Sequence, residues 1–217
     1  MKTSALTLLA ATLAGSFLLS AHASDEKAGD DKGWVKLFNG KDLTGWKTHP
    51  KNPGKWEVKD GILHSGGKDT SHLFSERDDY ENFHYKIEAK INDKGNSGQY
   101  FRTKFGPGYP QGYEAQINST FPDPQKTGSL YNFVKIFDQL VEPDAWFTQE
   151  VIANGNVITI KVNGKVVVDQ FIDAKNTHTK GHFALQQHGP AAGGPEVNLQ
   201  VKSILVKELP ANKKSEK

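Results

Sequence analysis

The sequence predicts an all-β sandwich of two antiparallel sheets, and three observations predict it. Apolar and polar residues alternate at period two in several segments, two Asn-Gly pairs separate apolar runs, and no segment sustains a helical period. Asn154-Gly155 and Asn163-Gly164 tolerate the positive φ angles of type I′ turns, so they predict a three-stranded meander over 146–153, 156–162 and 165–170. Phe83, Tyr85, Ile87, Ala89 and Ile91 alternate with Asn82, His84, Lys86, Glu88 and Lys90, which predicts one long half-buried strand. Phe183 and Leu185 alternate in the same way with His182, Ala184, Gln186 and His188. Near the C-terminus Val197, Leu199 and Val201 share a face, whereas Ile204 and Val206 fall on the other. A bulge near Lys202-Ser203 reconciles the two sets. Shorter strands are expected at 35–38, 56–58, 62–64, 72–74 and 98–103, and Pro143 limits 132–140 to a turn of helix.

The first residues carry an address. Lys2 precedes an apolar run from Ala5 to Leu19, and Ala21-His22-Ala23 supplies a small-x-small cleavage pattern. That predicts a secretory signal peptide over 1–23, cleaved after Ala23; the run is too short for a membrane anchor. Residues 24–33 read as a polar linker, 34–209 as one sandwich domain and 210–217 as a flexible basic tail. The chain contains no cysteine, which excludes a lipid-anchored lipoprotein, disulfide bridges, thiolate metal sites and a cysteine nucleophile. A mature length of about 190 residues suffices for a hydrophobic core without staples. The net charge is +2 with its basic residues dispersed, so no nucleic-acid surface is expected. A periplasmic or secreted location fits these features.

The most informative stretch is 112–118, GYEAQIN. As a strand it sends Tyr113, Ala115 and Ile117 to one face and Glu114, Gln116 and Asn118 to the other. The first face suits a core. The second sets a carboxylate among neutral hydrogen-bonding groups with no Lys or Arg beside it, as a sugar-handling surface requires. Two more segments offer polar residues opposite the core: Gly98, Tyr100 and Arg102 in NSGQYFR, and His182, Gln186 and His188 in HFALQQHG. Together they predict a groove for a polyhydroxylated ligand, with Glu114 or His188 able to move protons and Arg102 able to polarise. The remaining histidines (His49, His64, His72, His84 and His178) show no compact metal-ligand spacing. Trp34, Trp46, Trp56 and Trp146 could stack on sugar rings, but each lies in or beside an apolar strand pattern, and core packing is expected for most of them.

The chain also resembles a known family. WVKLFNGKDLTGW, WEVKDGIL, NSGQYFR, GYEAQIN, TGSLY, VNGKVV, ALQQHG and ILVKEL occur in the order seen in the 3-keto-disaccharide hydrolase family, across 34–209. The resemblance implies a concanavalin A-like jelly roll with its ligand groove on one sheet. It also implies a glycoside substrate oxidised to a ketone at C3 of the sugar. Glu114, Gln116, Arg102 and His188 lie on the shared motifs. In such chemistry a base removes the acidified C2 proton, the enolate expels the group on C1, and water adds afterwards. Glu114 or His188 is the expected base and Arg102 the expected stabiliser of the enolate. Tyr100, Gln116, Asn118, Gln186 and His182 are expected to bind substrate. No cofactor is demanded, and a divalent cation stays open.

Two other readings compete. A conventional glucanase of this fold places its acids on one strand as E-x-D-x-E, where this chain has Glu114, Gln116 and Asn118, leaving one acid. A noncatalytic carbohydrate-binding module would use the same face without turnover.

Overall fold

Alternation at period two and tight polar turns assemble two antiparallel sheets in the computed structural model, which describes residues 32–211. Thirteen strands occur in order: β1 (Val35–Lys36), β2 (Trp46–Thr48), β3 (Trp56–Lys59), β4 (Ile62–Ser65), β5 (Ser71–Ser75), β6 (Phe83–Ile91), β7 (Asn96–Thr103), β8 (Tyr113–Asn118), β9 (Phe147–Asn154), β10 (Val157–Val162), β11 (Lys165–Ile172), β12 (His182–Gln187) and β13 (Leu199–Glu208). One sheet runs β11-β10-β9-β6-β13-β4-β3, with β1 also paired to β13; the other runs β2-β5-β12-β7-β8. This is the jelly-roll sandwich.

The meander appears where the Asn-Gly turns place it, as β9, β10 and β11. The long strand β6 buries Phe83, Tyr85, Ile87, Ala89 and Ile91 completely and leaves the residues between them half-exposed. The bulge expected near Lys202-Ser203 is present: the register of β13 against β6 shifts between Val201 and Ser203. It lets Val201, Ile204 and Val206 all point into the core. Between the sheets, the ring of Phe183 stacks on Tyr80 and Tyr85, each 4.1 Å away, and meets Phe83 edge-on. Each such buried aromatic stabilises the fold by roughly 2–3 kcal/mol.

Several details differ from expectation. The first strand stops at Lys36, and the three-residue β2 has no clear alternation to announce it. Residues 132–140 contain no helix; a turn follows Tyr131, and Leu130 bridges Val134. The expected signal peptide, most of the linker and the tail beyond Ala211 lie outside the described residues. No helix among the described residues is long and apolar enough to cross a membrane.

Two features of the five-stranded sheet position the site. Strand β8 is covered on its free edge by 127–131: Gln116 N–H donates to Ser129 O, and Tyr131 N–H donates to Glu114 O. Strand β7 bulges opposite β12, where His182 faces Thr103 but Ala184 faces Tyr100. Arg102 takes up the extra residue with φ of 49°, so strict alternation ends at Tyr100.

Candidate active site

The outer face of the five-stranded sheet carries a cleft of about 460 Å³, a size suited to a small glycoside. Its floor comes from β7, β8 and β12, which place Asn96, Tyr100, Glu114, Gln116 and Gln186 side by side. Its walls come from loops bearing Tyr109, Phe121, Asp123, Tyr131 and Phe133, with His188 just past β12. Alternation explains the floor. Tyr113, Ala115 and Ile117 enter the core, which turns Glu114 and Gln116 outward.

Glu114 is the centre of this arrangement. It lies directly across from Tyr100 in the antiparallel pairing, and Tyr100 Oη donates to Glu114 Oε2 at 2.9 Å. Gln186 Nε2 in turn donates to Tyr100 Oη at 3.1 Å, which leaves the phenol proton for the carboxylate. Glu114 Oε1 lies over Gly98, where a Cβ would approach it to 2.2 Å. The side chain is half-buried and lines the cleft. Burial raises its pKa from 4.5 to about 8, the hydrogen bond from Tyr100 opposes the rise, and the Asp123 carboxylate adds to it. Burial, and then the charge of Glu114, hold the Tyr100 phenol well above its usual range, so it remains a donor.

His188 lines the cleft near its mouth. Its Nδ1–H donates to Gly189 O at 2.6 Å, which leaves Nε2 to accept from Tyr109 Oη at 3.1 Å. Behind Tyr100 stands His72 of β5, edge-on at 4.9 Å and paired in register with Gln186. Burial, with His188 nearby, lowers His72 to about 3, so the imidazole is neutral. The amides of Asn96 and Gln186 are buried in the floor, and Asn96 Oδ1 and Gln186 Oε1 have no hydrogen-bond partner.

Three expected site residues lie elsewhere. Arg102 does not face the cleft, because the β7 bulge redirects it. Its Nε and Nη2 donate to Glu81 O at 3.0 and 2.6 Å, and its Nη1 donates to His178 O at 3.3 Å. It is 2% exposed and ties two chain segments together. Asn118 shares the face of Glu114 but turns into the next loop. Its Nδ2 donates to Asp123 O and Gln125 O, and its Oδ1 accepts from Phe121 N–H. His182 donates through Nδ1 to Ser75 O at 2.7 Å and lies under Phe74 and Phe105.

The cleft also contains residues that alternation could not nominate. Asp123 Oδ2 accepts from Tyr131 Oη at 2.7 Å and Oδ1 accepts from Gln125 N–H at 2.8 Å. A second carboxylate therefore reaches the site from a loop, which corrects the inference that Glu114 is the only acid there. Tyr131 closes TGSLY and Asn96 opens NSGQYFR, so the motifs were the available signal for both. None of the four tryptophans lines the cleft. No group of three or more His, Cys, Asp or Glu side chains among the described residues is placed to hold a metal ion.

A sandwich whose polar cleft holds a carboxyl of raised pKa beside a second carboxylate is the frame of the site, and comparison narrows its class. The chain belongs to the family described as the 3-keto-α-glucoside-1,2-lyase-like domain, which it matches over residues 33–207. A 3-keto-disaccharide hydrolase of Bacteroides thetaiotaomicron is 27% identical over 146 residues, 52% of this chain and 50% of that protein. The match thus spans about half the length of that relative. A Parabacteroides distasonis protein provisionally named a glycosyl hydrolase shares the fold with TM-score 0.68 and 26% identity, covering 82% of this chain and 94% of the other. The carbohydrate-binding module CBM66 of Bacillus subtilis resembles the chain in fold, at TM-score 0.55 and 16% identity over 76% of this chain and 96% of that one.

Proposed function

We propose that this protein is an exported enzyme that cleaves 3-keto-glycosides, with Glu114 as the base. The observation that carries the reading is the carboxyl of Glu114 at the cleft floor, oriented by Tyr100 and raised to about 8. A base of that strength is well matched to a C2 proton acidified by a neighbouring ketone, and a carboxylate of ordinary pKa would be weaker. The family and the Bacteroides thetaiotaomicron relative support the substrate class.

In the proposed reaction the Glu114 carboxylate takes the proton from C2, and the electron pair moves into an enolate on the C3 oxygen. Collapse of the enolate breaks the C1–O bond and leaves an unsaturated 3-keto sugar. The departing oxygen takes a proton from the His188–Tyr109 pair at the mouth of the cleft. Water then adds at C1, giving up a proton that restores the His188–Tyr109 pair, and the proton taken from C2 returns there from the Glu114 carboxyl. The sum is hydrolysis. Gln116 and Asn96 are placed to hold sugar hydroxyls. Arg102 has no part in this scheme.

The test uses a nitrophenyl 3-keto-glucoside. The native protein is expected to release nitrophenol from it, to leave the unoxidised glucoside intact, and to exchange the C2 proton with D2O. Glu114→Gln is expected to lower turnover about 10²–10⁴-fold. Full turnover by a folded Glu114→Gln variant would remove Glu114 from the role.

Two other readings have observations behind them. Asp123 supplies the second carboxylate that a conventional glycosidase requires; cleavage of the unoxidised glucoside would favour that route. The likeness to CBM66 favours a binding module, for which sugars would bind with no release of aglycone.

A further inference from the structure

We infer that the cleft selects glycosides that donate hydrogen bonds and carry no negative charge, and that Asp123 is the residue that turns anionic sugars away. The inference deepens the proposed function and rests on it only for the choice of substrate.

Its first support is the charge of the lining. Two carboxyl groups, Glu114 and Asp123, face the cleft, and no Lys or Arg lines it. Lys126, three residues from Asp123, does not line the cleft, and its ammonium donates to Phe121 O at 2.8 Å and Asp123 O at 3.1 Å. The expected cationic partner, Arg102, is turned away toward Glu81 and His178. An anionic group entering the cleft would therefore lose water and gain no counter-charge.

The second support is independent of charge. Two amide oxygens of the floor, both closed to solvent, are acceptors without a partner. Asn96 is 4% exposed and Gln186 2% exposed, and each leaves its amide oxygen without a partner. An acceptor of this kind is stabilised by a ligand that brings a hydroxyl or ammonium proton and is not helped by a carboxylate or phosphate oxygen. Hydroxyl-bearing neutral sugars meet both conditions. Uronic acids and sugar phosphates bring hydroxyls but fail the condition of charge, and an amino sugar would meet both.

Asp123 is held in place by more than its own bonds. Asn118 fixes its loop through Asp123 O and Phe121 N–H, and Tyr131 holds Oδ2. Asn at this position can keep its oxygen for Gln125 N–H and donate from its amide nitrogen to Tyr131 Oη while losing the charge, so Asp123→Asn separates charge from scaffold.

The experiment compares kcat/KM for a nitrophenyl 3-keto-glucoside and the matching 3-keto-glucuronide, which differ by one carboxylate at C6. The native protein is expected to prefer the neutral compound by about tenfold or more at low salt. That ratio should shrink as salt is raised and shrink again in Asp123→Asn. Equal kcat/KM values in the native protein would overturn the inference, as would a ratio that neither salt nor Asp123→Asn moves. Where the variant fails to fold, the salt series on the native protein decides. If neither 3-keto compound is turned over, the proposed reaction fails. Selection is then read from calorimetric binding of glucose against glucuronate. Tighter glucose binding supports it, and equal binding or preference for glucuronate overturns it.

Discussion

Glu114 and Gly98 show how one side chain and one missing side chain make a reactive group. Folding moves the Glu114 carboxyl from 4.5 to about 8, so between those values the folded chain holds a proton that the unfolded chain has lost. Stability from this group therefore falls as pH rises from about 4.5 to 8, by at most about 1.4 kcal/mol per unit. Glu114→Gln removes that slope. Urea midpoints at pH 5 and pH 8 should show the native protein losing more stability than the variant across that interval. Turnover runs the opposite way: the base must be ionised, so kcat/KM is expected to rise with pH up to about 8. Gly98 has an ordinary strand conformation, yet a Cβ there would lie 2.2 Å from Glu114 Oε1 and 2.8 Å from Tyr100 Cε2. Gly98→Ala is expected to cost about 1–3 kcal/mol of stability by overpacking. It should also lower turnover by about 10²-fold by displacing the carboxyl. A variant with native turnover would show that the carboxyl tolerates the shift.

Among the elements, β7 decides what the site contains. Its first half presents Asn96, Gly98 and Tyr100 in register with Asn118, Gln116 and Glu114 of β8. Its bulge then removes Arg102 from the row and sends the guanidinium to two backbone carbonyls. Arg102→Ala leaves those carbonyls unpaired and is expected to destabilise the fold by about 3 kcal/mol, read from the urea midpoint. Turnover per folded molecule should stay at the native level, because Arg102 touches nothing in the cleft. This element also marks the limit of what the sequence could reveal. Period-two patterning placed Glu114, Gln116, Tyr100 and Gln186 correctly, because side-chain direction in a regular strand follows from position alone. Arg102 broke that rule at a bulge with no Gly or Pro to announce it. Asn118 obeyed the rule in direction but was drawn into the following loop. Asp123 and Tyr109 sit on irregular segments, where no period links sequence to direction.

At the scale of the whole molecule, the two sheets divide the work. The cleft belongs to the five-stranded sheet, while β1 and β13 pair in the other, with Val35 opposite Val206. The ends of the described chain are thus neighbours, away from the site. Joining them by a short flexible linker and opening the chain at Asn154-Gly155 is expected to leave the cleft and its turnover intact. Circular dichroism and release of nitrophenol from the 3-keto-glucoside would check it; a folded but inactive permutant would show that the sheets are coupled more tightly than their separate roles suggest. The meander, the long strand and the β13 bulge were all legible in the sequence, because each rests on local chemistry: an Asn-Gly turn, an alternation, a change of face. The order of strands was not legible, since β13 joins β6 to β4 and β1 through contacts distant along the chain.

The place of β13 has a consequence for how such a protein is made. It is the last strand of the sandwich, yet it lies inside its sheet, against β6 on one side and β4 and β1 on the other. A chain emerging N-terminus first from a ribosome or a translocation pore cannot close that sheet until residue 208 is free. Until then β6 and β1 have no partner between them, and the core stays open to water. The sandwich therefore waits for its last strand, and a chain cut before residue 199 is expected to leave the core between the sheets open to water.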